Sequence, residues 1–263
     1  MRLVLPEGTS ILITGASSGI GRALALGLAA KRLRLYLTGR NATSLMEVVL
    51  RCREAGASGV SWGVADLATP KGVAQLFEDI QSSGTVISAL VNNAGSGRFG
   101  NFASLEHEEI ARMVHLLVVA PLLLAKKWLP DWQASRAGGV LQVASTGSFQ
   151  PGPLTAVYYA SKAFGLSWAL ALRHELRGSG VCVTVLCPGA TLSQFSSRAG
   201  KSELPWARLP EFVARKALKA WFRGDHLVVP GWENRLLVTL SRLLPLSWVA
   251  FLASAGQKPA KKG

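Results

Sequence analysis

Compact apolar runs alternate along the chain with longer stretches in which apolar residues recur every three or four positions. Ser10–Thr14, Leu33–Thr38, Val60–Val64, Val86–Val91, Gly139–Ala144 and Val181–Leu186 predict β-strands. Between them Ile20–Ala30, Ser44–Ala55, Pro70–Gln81, Glu106–Leu129 and Ala156–Arg177 predict helices, one of them with proline near its start, where a missing N–H is tolerated. The strands are apolar without alternation, as in a sheet covered on both faces. The order therefore predicts an α/β fold built on a single doubly wound parallel sheet. After Pro188 the regularity weakens. Pro205 and Pro210 bracket an irregular stretch, Glu211–Phe222 reads as a helix and Leu227–Pro230 as a last strand. One catalytic domain is expected over residues 1–230, with a helical, apolar and basic extension over 231–263.

Composition narrows the classes. The 263 residues are 49% hydrophobic and 17% charged, the reverse of a disordered chain. The three cysteines, Cys52, Cys182 and Cys187, form no spaced cluster, so neither a disulfide framework nor a metal site is expected and the default is the cytoplasm. No signal peptide reads out of the first residues. The run Leu116–Ala125 contains Pro121 and is half of the roughly 20 residues a spanning helix needs. The longer run Leu236–Leu252 is interrupted by Arg242 and Pro245, so no transmembrane span is expected.

The first strand runs directly into Thr14-Gly15-Ala16-Ser17-Ser18-Gly19-Ile20-Gly21-Arg22 and then a helix. Glycines at 15, 19 and 21 permit a tight turn and close approach of backbone to a pyrophosphate, and the helix N-terminus faces it with N–H groups and positive dipole. Gly15, Ser17, Ser18, Gly19, Ile20 and Gly21 are therefore candidate cofactor contacts. The second strand ends at Gly39-Arg40 with no nearby acid to grip a ribose 2′-hydroxyl. Arg40, assisted by Arg22, offers a cation to a 2′-phosphate, which favours NADP(H) over NAD(H).

Tyr158 and Lys162 open a long helix four residues apart and share a face. An adjacent ammonium is expected to lower the phenol pKa from about 10 and make Tyr158 a general acid for a carbonyl. Lys162 can also hold ribose hydroxyls. Ser145, at the end of the preceding strand, is placed to hold the substrate oxygen.

Thr14–Gly21, Asn92-Asn93-Ala94-Gly95, Ser145, Tyr158-x-x-x-Lys162 and Pro188-Gly189 occur in that order. Together they resemble the classical short-chain dehydrogenase/reductase family over roughly residues 8–195. The resemblance implies a Rossmann-like fold, a nicotinamide cofactor and Ser145, Tyr158 and Lys162 as catalytic residues. It further implies cofactor contacts from Asn92 and Ala94, from Asp66 and Leu67 at the adenine, and from Pro188, Gly189 and Thr191 at the nicotinamide. Family members pair through the two long helices, so a homodimer or homotetramer is implied. One departure stands out: aligning on Pro121 puts Leu117 where the family carries an asparagine that holds a proton-relay water. His115 is the nearest polar residue, two positions away. Two readings follow: an active reductase with a rerouted relay, or a nucleotide-binding, membrane-associated scaffold with weak or lost catalysis.

Charge sharpens the picture last. Lys and Arg number 29 against 15 Asp and Glu, a net charge of +14. From Arg198 to Gly263 twelve basic residues face four acids, so +8 of that excess sits in the C-terminal quarter, together with Trp206, Trp221, Trp232 and Trp248. Interleaved leucines argue against nucleic acid and leave two readings of this segment: packing on the core or another subunit, or peripheral contact with a membrane surface. The substrate end of the site is expected from Ser96–Phe102, Gly147–Leu154 and Thr191–Leu209, with Phe99, Phe102, Phe149, Leu154, Phe195 and Trp206 as an apolar lining. That lining suits a small apolar carbonyl or alcohol; Arg98 is a candidate for an anionic group.

Overall fold

The computed structural model describes residues 2–193, 199 and 206–255. Phe195, Arg198, Lys201 and the lysines at 258, 261 and 262 lie outside the described residues.

Seven strands form one parallel sheet: β1 Ser10–Thr14, β2 Arg34–Gly39, β3 Gly59–Val64, β4 Ile87–Asn92, β5 Gly139–Val143, β6 Cys182–Leu186 and β7 Leu227–Val228. Their spatial order is β3-β2-β1-β4-β5-β6-β7. The chain reverses direction of winding between β1 and β4, which opens a crevice at the carboxyl ends of those strands. β1, β4, β5 and β6 are buried along their whole length, as their unbroken apolar sequences require.

The helices are α1 Gly19–Ala29, α2 Ala42–Glu54, α3 Pro70–Ser82, α4 His107–Val114, α5 Ala120–Ala134, α6 Ala156–Glu175, α7 Pro210–Arg223, α8 Trp232–Leu243 and α9 Leu246–Ala255. Local signals set several boundaries. Asn41 caps α2 by accepting from the Ser44 N–H at 2.8 Å, and Thr69 caps α3 by accepting from the Gly72 N–H at 3.0 Å. Gly224, at φ 77°, closes α7. Each face of the sheet carries one apolar core. Leu24, Leu28, Leu45, Val213 and Trp221 fill one; Leu76, Leu124, Trp128, Trp132 and Val238 fill the other.

The long helix expected over Glu106–Leu129 is not uniform. α4 widens into a π turn at His115–Val119 before α5 continues to Ala134. Pro121 is the physical reason: it has no N–H for the carbonyl of Leu117, the acceptor four residues back. The ladder slips, and the Ala120 N–H donates to the His115 carbonyl five residues back. A turn of 3₁₀ helix at Thr146–Phe149, which the hydrophobic pattern did not predict, follows β5. No helix among the described residues is long and apolar enough to cross a membrane.

Candidate active site

The crevice at the strand ends is a continuous cleft of about 1850 Å³, running from the Gly15–Gly21 loop to the leucines of α8. A single small ligand occupies roughly 300–1000 Å³, so the cleft has room for a dinucleotide and a second molecule.

At one end the backbone is fixed by short-range bonds. The Thr14 hydroxyl accepts from the N–H groups of Asn93 and Ala94, both at 3.0 Å, and donates to the Val91 carbonyl. Asn93 Nδ2 donates to the carbonyls of Thr14 at 2.9 Å and Gly15 at 3.2 Å. These bonds clamp the loop after β1 onto the end of β4. Gly15 has φ +62°, and a Cβ there would sit 2.8 Å from Ala94 Cα; a Cβ at Gly21 would strike the Gly15 carbonyl oxygen. No side chain caps the first turn of α1, which leaves its N–H groups turned toward the cleft for an anion. Gly15, Ser17, Ser18, Gly19 and Ile20 all line the cleft, as do Arg22, Arg40, Ala94, Pro188, Gly189 and Thr191. Gly21 supports the turn from beneath. The residues present thus fit a pyrophosphate flanked by cations. Glu47 of α2 lines the same end, an acid that a search confined to the strand terminus overlooks.

Asp66 and Leu67, expected at the adenine, line the cleft and are pinned from behind. Arg112 of α4 forms an ion pair with Asp66, and His115 Nδ1 lies 3.0 Å from the Leu67 carbonyl oxygen. Burial raises the Asp66 carboxyl, but hydrogen bonds from Arg112 and the Ala68 N–H, with the charges of Arg112 and Arg40, outweigh it and hold the group below its ordinary value. Sequence reasoning missed Arg112, because nothing local links α4 to the end of β3.

The expectation for Asn92 needs correction. Period-two geometry turns it into the core under α5, where its Nδ2 donates to the Pro121 carbonyl at 3.2 Å; Asn93, one residue on, is the one that lines the cleft.

Midway along the cleft stand Ser145, Tyr158 and Lys162. Ser145 begins the 3₁₀ turn: its Oγ accepts from the Gly147 N–H at 3.0 Å, and its own N–H donates to Ser148 Oγ at 3.2 Å. Ser148 in turn donates to the Lys162 carbonyl, tying β5 to α6. The Ser145 side chain also hydrogen-bonds Tyr158. The direction expected for Tyr158 is reversed here: burial pushes its pKa up, and the Ser145 bond offsets that only partly. Lys162 Nζ donates to the Val143 carbonyl at 2.7 Å and stands 5.8 Å from the Tyr158 ring centroid. Burial also lowers Lys162 itself to about 8, the Cys187 charge opposing this.

Leu117 is buried beside this group. Its Cδ2 and Lys162 Nζ lie 3.3 and 3.7 Å from the position a Cβ would take on Gly95. An apolar side chain therefore adjoins the lysine at the aligned position.

The substrate end differs from expectation. Of the described aromatics named for it, only Trp206 lines the cleft. Phe102 is 59% exposed, and Phe149 is covered by the Arg242 guanidinium, 5.4 Å from its centroid. Ser96 and Gly97 represent the first expected segment, Gln150 the second, and Thr191, Ser193, Trp206 and Ala207 the third. The wall comes instead from α8, which packs on the 3₁₀ turn after Ser145 and turns Leu236, Leu237, Leu240 and Leu244 into the cleft. Asn234 of α8 fits against Gly189 so closely that no side chain could stand there, and its Nδ2 donates to the Pro230 carbonyl at 2.7 Å. This segment was legible as apolar but not as part of the site.

A family model described as short chain dehydrogenase matches residues 9–204. The chain belongs to the short-chain dehydrogenase family. This dehydrogenase is 29% identical over 240 residues to a ketoacyl reductase of Nostoc sp., covering 90% of this chain and 83% of that one. It is 27% identical over 248 residues to a human estradiol 17-beta-dehydrogenase 11, covering 93% and 82%. A short-chain dehydrogenase from Sphingobium yanoikuyae, solved in complex with NADPH, superposes with a TM-score of 0.81 at 28% identity, over 97% and 98% of the two chains. The oxidoreductase class and the Rossmann-like nucleotide-binding fold follow.

Proposed function

We propose that this short-chain dehydrogenase is an NADP(H)-dependent carbonyl reductase, reversible toward secondary alcohols, that takes apolar substrates. One observation carries the reading: the mutually hydrogen-bonded side chains of Ser145 and Tyr158 share a cleft with Lys162, the glycine loop and Arg40. When bound, the nicotinamide supplies the hydride. Tyr158 donates its hydroxyl proton to the carbonyl oxygen as negative charge grows there, and Ser145 holds that oxygen. Lys162, leaving the Val143 carbonyl for the ribose side, brings its charge toward the phenolate that remains. Arg40, aided by Arg22, meets a 2′-phosphate, and Gly189 and Thr191 flank the nicotinamide end.

Leu117 favours a second reading, a nucleotide-binding scaffold of low turnover. Against it, Ser145, Tyr158 and Lys162 line one cleft despite that replacement. A homodimer or tetramer through α5 and α6 accompanies the first reading, supported by Leu123 and Phe164, each 43% exposed on those helices.

The test is turnover of a series of apolar ketones with NADPH, beside Tyr158→Phe. A loss of about 10²- to 10⁴-fold in kcat, with NADPH affinity retained, is expected; equal rates overturn the mechanism, and no turnover by either protein favours the scaffold.

A further inference from the structure

α9 is apolar on every side. Leu246–Ala255 carries no charge, and Ser247 and Ser254 are its only polar side chains. Such a helix is ordinarily enclosed by protein or by lipid. Here it is not enclosed: Leu246 is 67% exposed, Trp248 64% and Phe251 73%, and among its described side chains Val249 is the buried one. Leu243 and Trp232 of α8 are open as well, at 75% and 73%. This exceeds the scattered single apolar residues of an ordinary surface. At ten residues α9 has half the length needed to cross a bilayer, so lipid could meet it only in the plane of an interface.

Of the three charged residues on α8 and α9, two are basic. Arg235 and Arg242 are exposed on α8. Glu233 is the one acid in α8 and α9, and its carboxylate accepts from Arg208 at 2.8 Å. Beyond α9 the sequence adds Lys258, Lys261 and Lys262 and no acid. A tryptophan-bearing apolar surface in a basic segment of the chain complements an anionic headgroup layer.

The same two helices wall the catalytic cleft from inside. Leu240, Leu244, Val249 and Ala253 line it, and Leu252 lines both the cleft and an outer hollow shared with Trp248 and Phe251. The cleft and the outer surface are therefore separated by little more than the thickness of α9.

We propose that α8 and α9 form a platform that docks on an anionic bilayer, and that the cleft opens through it. The substrate is then an amphiphilic carbonyl dissolved in that bilayer, reaching Tyr158 from lipid rather than from water. The substrate half of this inference rests on the reductase reading; the docking half does not.

The experiment uses the full chain, the variant Trp248→Ser/Phe251→Ser, and vesicles of phosphatidylcholine with or without phosphatidylglycerol. Both substituted residues are exposed, so the variant should fold like the parent. The parent is expected to float with phosphatidylglycerol vesicles, to be released by salt, and to bind pure phosphatidylcholine more weakly. The variant is expected to lose at least about tenfold in bound fraction. Turnover of a water-soluble short ketone should be equal in both, while a long-chain ketone presented in vesicles should fall about tenfold in the variant. Absence of flotation by the parent overturns the platform, as does equal flotation of both proteins. Dissociation of an oligomer by the double substitution without lipid also overturns it, because a second copy then covers the face. Flotation without turnover of any ketone leaves the platform standing and removes the reductase reading.

Discussion

The two ends of the cleft are built by opposite means. At the glycine loop, position is set by directional bonds: the Thr14 hydroxyl, Asn93 and the backbone of Gly15 lock the turns after β1 and β4 against each other, with no room for a Cβ at Gly21. At α8 and α9 the wall is mainly leucine with Val249 and Ala253, beside Trp232, Glu233, Asn234 and Ser241 of α8. Leu236, Leu237, Leu240 and Leu252 of that wall are also exposed. Hydrogen bonds fix distance and angle, whereas apolar contact scales with area and tolerates many shapes. The contrast suits the two tasks. On the proposed reading a dinucleotide needs a single pose at the first end, while an apolar substrate needs only a dry surface of suitable size at the second.

The comparison breaks most sharply at Gly21. Gly21→Val forces a side chain into the Gly15 carbonyl, and overpacking of that kind costs about 1–3 kcal/mol. NADPH titration by fluorescence should show affinity reduced about 100-fold or lost, with the melting temperature lowered; unchanged binding would show that the loop is looser than its bonds imply. Arg40→Ala comes next. A charge-assisted contact contributes about 1.5–3 kcal/mol, so NADPH affinity should fall about tenfold or more with NADH affinity little changed. Equal losses for both cofactors, or tighter NADH binding by the parent, would remove Arg40 as the phosphate contact.

At the other end a smaller and more selective effect is expected. Leu240 lines the cleft yet is 48% exposed, so Leu240→Ser removes part of a leucine's contact area. The KM for a long-chain ketone should rise about fivefold, with NADPH affinity unchanged. Weaker cofactor binding in that variant would merge the two ends into one unit.

The smallest effect concerns the buried groups between them. Burial pushes Cys187 up to about 12 from 9.0, so its contribution to stability is complete below pH 9 and is lost as pH rises toward 12. Lys162, lowered to about 8 from 10.5, acts in reverse: its buried ammonium costs stability below pH 8, and the cost is relieved as pH rises to 10.5. The two trends oppose each other between 9 and 10.5. Urea unfolding of Cys187→Ala across that range should therefore show stability rising more steeply with pH than in the parent. Identical curves would mean that Cys187 titrates as it does in water.

Strand β1 was legible residue for residue, because a short apolar run ending at Thr14-Gly15 has one local interpretation. Ser145, Tyr158 and Lys162 were legible as a set, and the structure brings them into one cleft. The long helix expected over Glu106–Leu129 is present, but the pattern shows only its apolar face and not the ladder slip that Pro121 imposes. Asn92 and Asn93 were distinguishable in principle, as neighbours at a strand end point to opposite sides, but only the β4–α5 contact shows which side is the cleft. The net direction at Tyr158 was out of reach because it depends on burial of the phenol in the folded cleft, which local spacing does not show.

By itself the sequence determined the parallel α/β order, the glycine-rich turn after β1 and the family to which the chain belongs. Each of these rests on short-range rules: strand and helix periods, the steric freedom of glycine, the four-residue reach along a helix face. Tertiary structure alone decided that Arg112 holds Asp66, that Leu117 adjoins Lys162, and that α8 folds back on the turn after Ser145 to wall the cleft. Apolar attraction has no direction, so periodicity marks α8 and α9 as having faces to cover without naming what covers them. The chain's own packing answers that for the inner face of α8, and leaves the outer face of α9 open.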